Sequence, residues 1–410
     1  MTLKKILLVG MTGVIVGSAG GDVAAQDWPQ WRGPNRDGVV EAFNAPSTWP
    51  DGLTKQWTVE VGLGYATPIT VGDRLYMYTR QGDDEGMLAL DASTGQQIWW
   101  SSYPAPFEMV MAAASHGRGP KSTPAYADGR LFTLGMSGIV TAWDADSGEQ
   151  LWQHPGGDVQ PLYHTGMSPI VDGDLVVFHV GGHNDGALTA FDVATGDVRW
   201  SWDGDGPAYG SPIVADLAGT RQVVTFTQDN FVGVAVATGE LLWRRPFSTQ
   251  ATTTSQTPIL YDGDLIEAGR GNGITRVRVV REGGAWTTED VWHTDEVSLH
   301  MTNGVVTDGV LVGLSHLNSG QYFGLDLDDG QVLWTSQPRQ AENAAIMRAG
   351  RTVFSLEDDA ELVVLPSSRA EFAPVGRYDV ADSATWTQPT FLGNSVYVKD
   401  VSSLTLWTFN

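Results

Sequence analysis

One phrase recurs along this chain, and its recurrence constrains the fold more than any other feature. "LDASTGQQIW" (90–99), "WDADSGEQLW" (143–152), "FDVATGDVRW" (191–200), "VAVATGELLW" (234–243) and "LDLDDGQVLW" (325–334) share one template. An apolar residue, usually followed by Asp, leads into a Gly-containing turn and then to Trp. A worn copy ends "TTEDVW" at Trp292. The tryptophans Trp99, Trp152, Trp200, Trp243, Trp292 and Trp334 stand 53, 48, 43, 49 and 42 residues apart. A further 44 residues lead to Tyr378, an aromatic stand-in. Repetition at 40–50 residues signals a ring or stack of small units, each unable to bury its apolar face alone.

A second phrase runs in step with the first. A small polar residue, usually followed by Pro, leads through apolar residues to a Gly-Asp or Asp-Gly turn and an alternating run. "TPITVGDRLYMY" (67), "TPAYADGRLFTL" (123), "SPIVDGDLVVFH" (168) and "TPILYDGDLIEA" (257) are clear copies. Others begin at 211, 303, 344 and 388, which makes eight. Each unit holds four short Val/Ile/Leu/Trp-rich runs between Gly, Asp or Asn turns, the pattern of antiparallel hairpins. Eight four-stranded units predict an all-β chain, an eight-bladed β-propeller. The last unit runs out after three strands. "LTKQWTVEV" (53–61), with Trp57 in the docking place, is expected to supply the fourth and close the ring, leaving no open edge. The propeller is expected over 53–410. The Pro/Trp-rich arm 26–52 is expected to pack on the outside of the ring.

The recurring phrase has a structural job. Its Gly supplies the positive φ of a tight turn. Its Asp and Thr can bond local backbone. Its Trp, on the outer strand, can fill the wedge that widens between neighbouring blades. The acidic versions "DADSGE" and "DLDDG" resemble pieces of a calcium loop. Their place at the repeat's turn favours the structural reading.

Residues 1–25 read as a signal peptide: Lys4 and Lys5, a short apolar stretch, then small residues up to "VAA". The expected destination is the periplasm or the exterior. The chain has no cysteine, which excludes disulfides, cysteine metal sites and a lipid-bearing N-terminal cysteine. A formal charge of −24 repels phosphate backbones, so nucleic acid is not an expected partner. No later stretch is long and apolar enough to be a transmembrane helix.

The docking-Trp repeat resembles those of the pyrroloquinoline quinone (PQQ) propeller superfamily, which includes quinoprotein alcohol dehydrogenases and the outer-membrane assembly factor BamB. "WPQWRGPNRDGV" (28–39), "GPKSTPAYADGRLFTLG" (119–135), "VGGHNDGALTAFDVATG" (180–196) and "KDVSSLTLW" (399–407) are similar to stretches of bacterial PQQ-binding-like β-propeller repeat proteins. For the dehydrogenases the resemblance implies PQQ between a tryptophan and a disulfide of adjacent cysteines. A calcium ion there is held by Glu, Asn and Asp, with an Asp as base. This chain cannot form the disulfide, and no segment maps residue by residue onto that site. No catalytic motif stands out, so neither a metal nor a cofactor is expected. PQQ with calcium is the alternative.

The histidines are unevenly placed. In a four-stranded blade, the connections between blades and the loops between second and third strands share one face. His116, His154, His164, His293 and His300 are expected at or in blade-to-blade connections, and His183 and His316 in second-to-third strand loops. Only His179 falls inside a strand. Arg118, Lys121, Arg270, Arg339 and Asn343 join that face. Two readings stand: loops carry polar residues anyway, or a binding funnel opens there for a polar or anionic ligand. The connection 103–124, with His116, Arg118 and Lys121, is the longest. The expected function is an exported, non-catalytic scaffold binding a protein or other envelope partner in the style of BamB. The alternative is a PQQ- or metal-dependent oxidoreductase.

Overall fold

The computed structural model describes residues 27–106, 108–250 and 253–409; the expected signal peptide lies outside them. Eight sheets, each built on four antiparallel strands that are successive in the chain in all but the last, make up an eight-bladed β-propeller. Blade 1 runs inside to outside through Ile69–Val71, Arg74–Gln81, Asp84–Asp91 and Gln97–Pro104. Inner strands at Ala125–Ala127, Ile170–Asp172, Ile213–Leu217 and Ile259–Tyr261 open blades 2 to 5. Those at Val305–Thr307, Ala344–Ala349 and Thr390–Leu392 open blades 6 to 8. Each begins within a few residues of a copy of the second phrase. Blade 8 is closed by Thr54–Glu60, which pairs antiparallel with Ser403–Thr408. The chain ends are thus held by a ladder of backbone hydrogen bonds, and no blade edge stays open at the seam.

The core sits between blades. Phe132 and Leu134 of blade 2 pack on Val176, Phe178 and Phe191 of blade 3. Phe226, Phe231 and Trp243 of blade 4 pack on Leu265 and Val277 of blade 5. Middle strands are covered on both faces, so Leu75–Arg80 is buried at every position. They therefore read as continuous apolar runs, while the outer strands are half exposed.

The recurring phrase acts between blades. Trp57 lies against Gly95 in the turn of the next blade, Trp99 against Gly148, and Trp152 against Gly196. Trp200 meets Gly239 and Trp292 meets Gly330 in the same way. A β-carbon at Gly196 would stand 2.7 Å from Trp152, so the Gly leaves room for the indole as well as supplying φ +77°. Several indoles also donate to carbonyls of that next turn: Trp200 to Val236 at 2.7 Å, Trp292 to Leu327 at 3.0 Å. The turn Asp residues are spent locally. Asp91 Oδ1 accepts from the backbone and hydroxyls of Ser93 and Thr94. Among the described residues no group of three or more acidic or imidazole side chains could hold a metal ion.

Blade 5 departs from the template. Its last two strands run long and meet at Gly283-Gly284, so no docking turn faces Trp243. Trp243 donates instead to Gln222 of its own blade, at 2.7 Å. Tyr378 stands in blade 7's outer strand and donates to the Pro50 carbonyl, just ahead of the strand that closes blade 8.

The arm is not outside the ring; it fills the central channel. The indole of Trp28 is fully buried, and its backbone pairs with Thr70 of blade 1. Pro29 accepts from Tyr126 of blade 2. Arg36 donates to the carbonyls of Ser168, Pro169 and Pro212, at blades 3 and 4. Trp31 reaches Thr257 at the entry to blade 5, at 2.9 Å. Arg32 donates to the Gly304 carbonyl at blade 6, at 2.6 Å, and Val39–Val40 pairs parallel with blade 7. Phe43 packs edge-on to Phe391 of blade 8. One short segment therefore touches all eight blades. The reason lies in the channel wall: inner edges present carbonyls with no strand beyond them, and the guanidiniums of Arg32 and Arg36 satisfy five of these at blades 3, 4, 6 and 7. Left-handed backbone at Arg32, Gly33, Arg36 and Gly38 fans the side chains outward.

Candidate functional site

Above the plug, the blade-to-blade connections leave a funnel of about 610 Å³. Trp31 of the arm lines it together with Tyr65, Tyr163, Tyr209 and Trp386, each from a different connection. Lys121, His116, His300 and Arg270 add the ionisable groups. Hydroxyls and amides from Ser168, Ser211, Ser255, Gln250 and Asn303 fill the spaces between. No Asp or Glu lines the funnel, although the chain carries 48 of them.

The charges are poised rather than paired. Lys121 Nζ donates to the Tyr163 carbonyl at 2.8 Å. Burial pushes its pKa down to about 8, and it has no carboxylate partner. Burial, then the charge on Lys121, lowers His116 and His164. Burial, then Arg270 and His316, lowers His300 to about 4. The imidazoles are therefore neutral at physiological pH. His300 Nε2 is buried with no hydrogen-bond partner. His116 meets Trp386 edge-on at 4.8 Å, and His300 meets His316 at 5.9 Å.

Of the ten residues singled out in the sequence, His116, Lys121, Arg270 and His300 line the funnel. Asn343 lines an adjoining recess with Asp358, Thr385 and Gln388; the two spaces share Trp31, Met301, Asn303 and Trp386. His164 is buried behind the wall, accepting from Val110 N, and His316 stands behind His300. Arg118 is exposed and pairs with Asp83 at 3.6 Å. His183 and Arg339 are absent from both linings. Two residues stand at the start of connections, on the ends of outer strands. His154 closes blade 2's outer strand and bonds the Gly196 carbonyl. His293 lies in blade 5's outer strand beside Thr275 and Asp295. His179 is buried in its strand, as expected.

The aromatic lining went unread in the sequence. Tyr163 and Tyr209 sit a few residues before the Ser-Pro copies at 168 and 211, and Tyr65 and Trp386 precede those at 67 and 388. The offset of two shared by Tyr65, Tyr209 and Trp386, though not by Tyr163, is the signal the sequence offers.

The quinone–calcium constellation does not fit these residues. Calcium takes six to eight oxygen ligands, with charged carboxylates setting the affinity, and among the described residues the funnel offers neutral hydroxyls and amides but no carboxylate. The nearby Asp358 has its Oδ1 occupied by the Asn343 amide at 3.1 Å.

The family profile described as outer membrane protein assembly factor BamB matches residues 89–336. The chain belongs to this family. It is 25% identical to BamB of Yersinia pestis over 60% of this chain and 63% of that protein. With BamB of Shewanella oneidensis it shares 24% over 84% and 85%. It also shares 26% with methanol dehydrogenase subunit 1 of Paracoccus denitrificans, over 46% of this chain but only 30% of the enzyme. Among solved structures, BamB from Moraxella catarrhalis superposes with a TM-score of 0.61 at 16% identity, covering 87% of this chain and 99% of that one. Quinohemoprotein alcohol dehydrogenase from Comamonas testosteroni gives 0.67 at 13%, covering 93% and 80%. At these identities the structural likeness establishes the fold. Among the described residues no helix is long and apolar enough to cross a membrane.

Proposed function

We propose that this protein is an exported, non-catalytic scaffold of the cell envelope that grips a protein partner with its funnel face. The carrying observation is where its exposed apolar side chains lie. Of the twelve large apolar side chains exposed among the described residues, six, Leu63, Val110, Met111, Val159, Leu162 and Met301, stand on connections of that face, and Met111 is 85% exposed; the other six are scattered singly over blade strands and one outer turn. Apolar groups gathered beside a concave, polar-based mouth mark an interaction site. The assembly role named for the BamB relatives supports a protein as the partner. The lack of cysteine fits a periplasmic protein without a lipid anchor.

A photo-crosslinking residue at Met111 or Leu162, against one at Val198 on an outer strand, tests this in the source's envelope. One discrete partner captured from the mouth positions alone is expected. Equal capture from Val198 overturns the reading. The oxidoreductase alternative rests on partial sequence likeness to methanol dehydrogenase and on the shared fold, and neither brings a matched cofactor site. Purified protein mixed with PQQ and calcium is expected to retain no quinone absorbance and to reduce no dye with alcohols.

A further inference from the structure

Charge complementarity narrows what this funnel can accept. Besides its tyrosines, its ionisable lining among the described residues is a lysine, an arginine and two imidazoles, with no carboxylate. Neither Lys121 nor Arg270 takes part in any ion pair, while most of the chain's surface arginines do. Two more guanidiniums lie directly below. Arg36 bonds the backbone of Ser168, which itself lines the funnel, and Arg32 bonds Gly304, next to the lining residue Asn303. Both are nearly fully buried, and only Asp37 acts on Arg32 as a counter-charge. A recess with low-dielectric walls focuses such a field toward its mouth.

The net charge of −24 does not cancel this. At physiological salt, charges beyond about 8 Å are largely screened, and partly buried ones much less. The nearby cations therefore dominate inside the funnel, and the acidic exterior dominates only at a distance.

The aromatic walls and apolar rim add the second requirement. Leu63 belongs to the blade 8 to 1 connection, Val110 and Met111 to the next, and Val159 and Leu162 to the one after. They form an arc on one side of the mouth, with Lys121 on the same side and Arg270 about three blades away. Because the arm plugs the channel beneath Trp31, whatever enters must leave by the same mouth.

Resting on the reading of this face as a protein-binding surface, we propose that the funnel receives an acidic peptide segment of its partner. Side-chain carboxylates reach Lys121 and Arg270, and intervening apolar side chains lie on the aromatic wall and rim. Lys121 has three donors and spends one on Tyr163; a carboxylate takes another. Ligand charge also stabilises protonated His300, so binding is expected to raise the pKa of that imidazole.

The test uses purified full-length protein and a fluorescent hexapeptide, Leu-Asp-Leu-Glu-Leu-Asp, with blocked ends. Its counterpart carries Asn and Gln in place of Asp and Glu. Anisotropy is expected to show the acidic peptide bound at least about tenfold more tightly, the scale of one charge-assisted hydrogen bond. Lys121→Met and Arg270→Met are each expected to lose about that factor. Arg118→Met, whose partner is Asp83 outside the funnel, should lose none. Lys121→Arg guards against misfolding and should keep most of the affinity. Equal binding of the two peptides, or affinity unmoved in both Met variants, overturns the proposal. Tighter binding of an oligogalacturonate than of the acidic peptide also overturns it and assigns the funnel to an acidic saccharide. If mouth crosslinks persist while both peptides fail, the scaffold reading stands and this inference falls. If the peptide binds while the crosslinks fail, the reverse holds.

Discussion

Glu357 is a carboxyl placed where a charge is costly. Its side chain is buried at the end of blade 7's second strand, and Oε1 accepts from the Tyr322 hydroxyl at 2.6 Å. Arg377 approaches only to 4.0 Å, and Glu361 and Asp359 add negative charge nearby. Burial pushes its pKa up to about 7. The folded state therefore holds a proton between about pH 4.5 and 7 that the unfolded chain releases. The stability this contributes is complete below 4.5 and is lost as pH rises through 7. Glu357→Gln keeps the acceptor for Tyr322. It is expected to gain about 1–3 kcal/mol at pH 8 and little at pH 5, by urea unfolding at both. His179 has the opposite sign. Burial lowers it to about 4, while its Nε2 bonds the Asp205 carbonyl. It binds a proton more readily unfolded, so stability falls as pH drops below about 6.5. With Glu357 replaced, stability should rise monotonically between pH 4 and 6.5, where the wild type is flatter. Neither partner set was legible in the sequence: Tyr322 and Glu357 lie 35 residues apart and meet only through blade packing.

At the scale of the element, the docking turn separates two roles of glycine. Gly239 and Gly219 have nearly the same φ, +74° and +78°. A β-carbon at Gly239 would stand 2.8 Å from Trp200, whereas nothing lies near one at Gly219. Both Ala variants carry a left-handed backbone cost of about 1–2 kcal/mol. Gly239→Ala is expected to cost about 1–2 kcal/mol beyond that by displacing a packed indole. Equal losses in thermal or chemical unfolding would remove the contact from the account. Trp200→Ala should cost about 3–5 kcal/mol. The strands and turns of seven blades were readable because each unit repeats the same local instruction. Blade 5 was read as a worn copy for the same reason. Its Gly-Gly hairpin keeps the strands but drops the docking turn, and spacing alone does not show that Trp243 turns to Gln222.

At the scale of the molecule, the arm converts a ring with an open axis into a closed bowl. Arg36 satisfies three carbonyls from two blades. Arg36→Met leaves them buried and unmatched, with an expected loss of about 3 kcal/mol or more. The same variant should weaken the acidic peptide, because it removes charge below the funnel, whereas Gly239→Ala should not. The eight-fold ring, its closure by the N-terminal strand and its docking tryptophans other than Trp243 were determined by the sequence itself. Each is a local pattern repeated until its number and spacing admit one architecture. The side that bears the mouth followed from strand order. What only the tertiary structure decided is convergence: which of the scattered loop residues meet, that five aromatic rings stand among them, and that the arm lies on the axis. A lone segment such as "WPQWRGPNRDG" has no repeat to place it. Its position is fixed by partners drawn from all eight blades, among them carbonyls at blades 3, 4, 6 and 7, which face one axis only once the ring has closed.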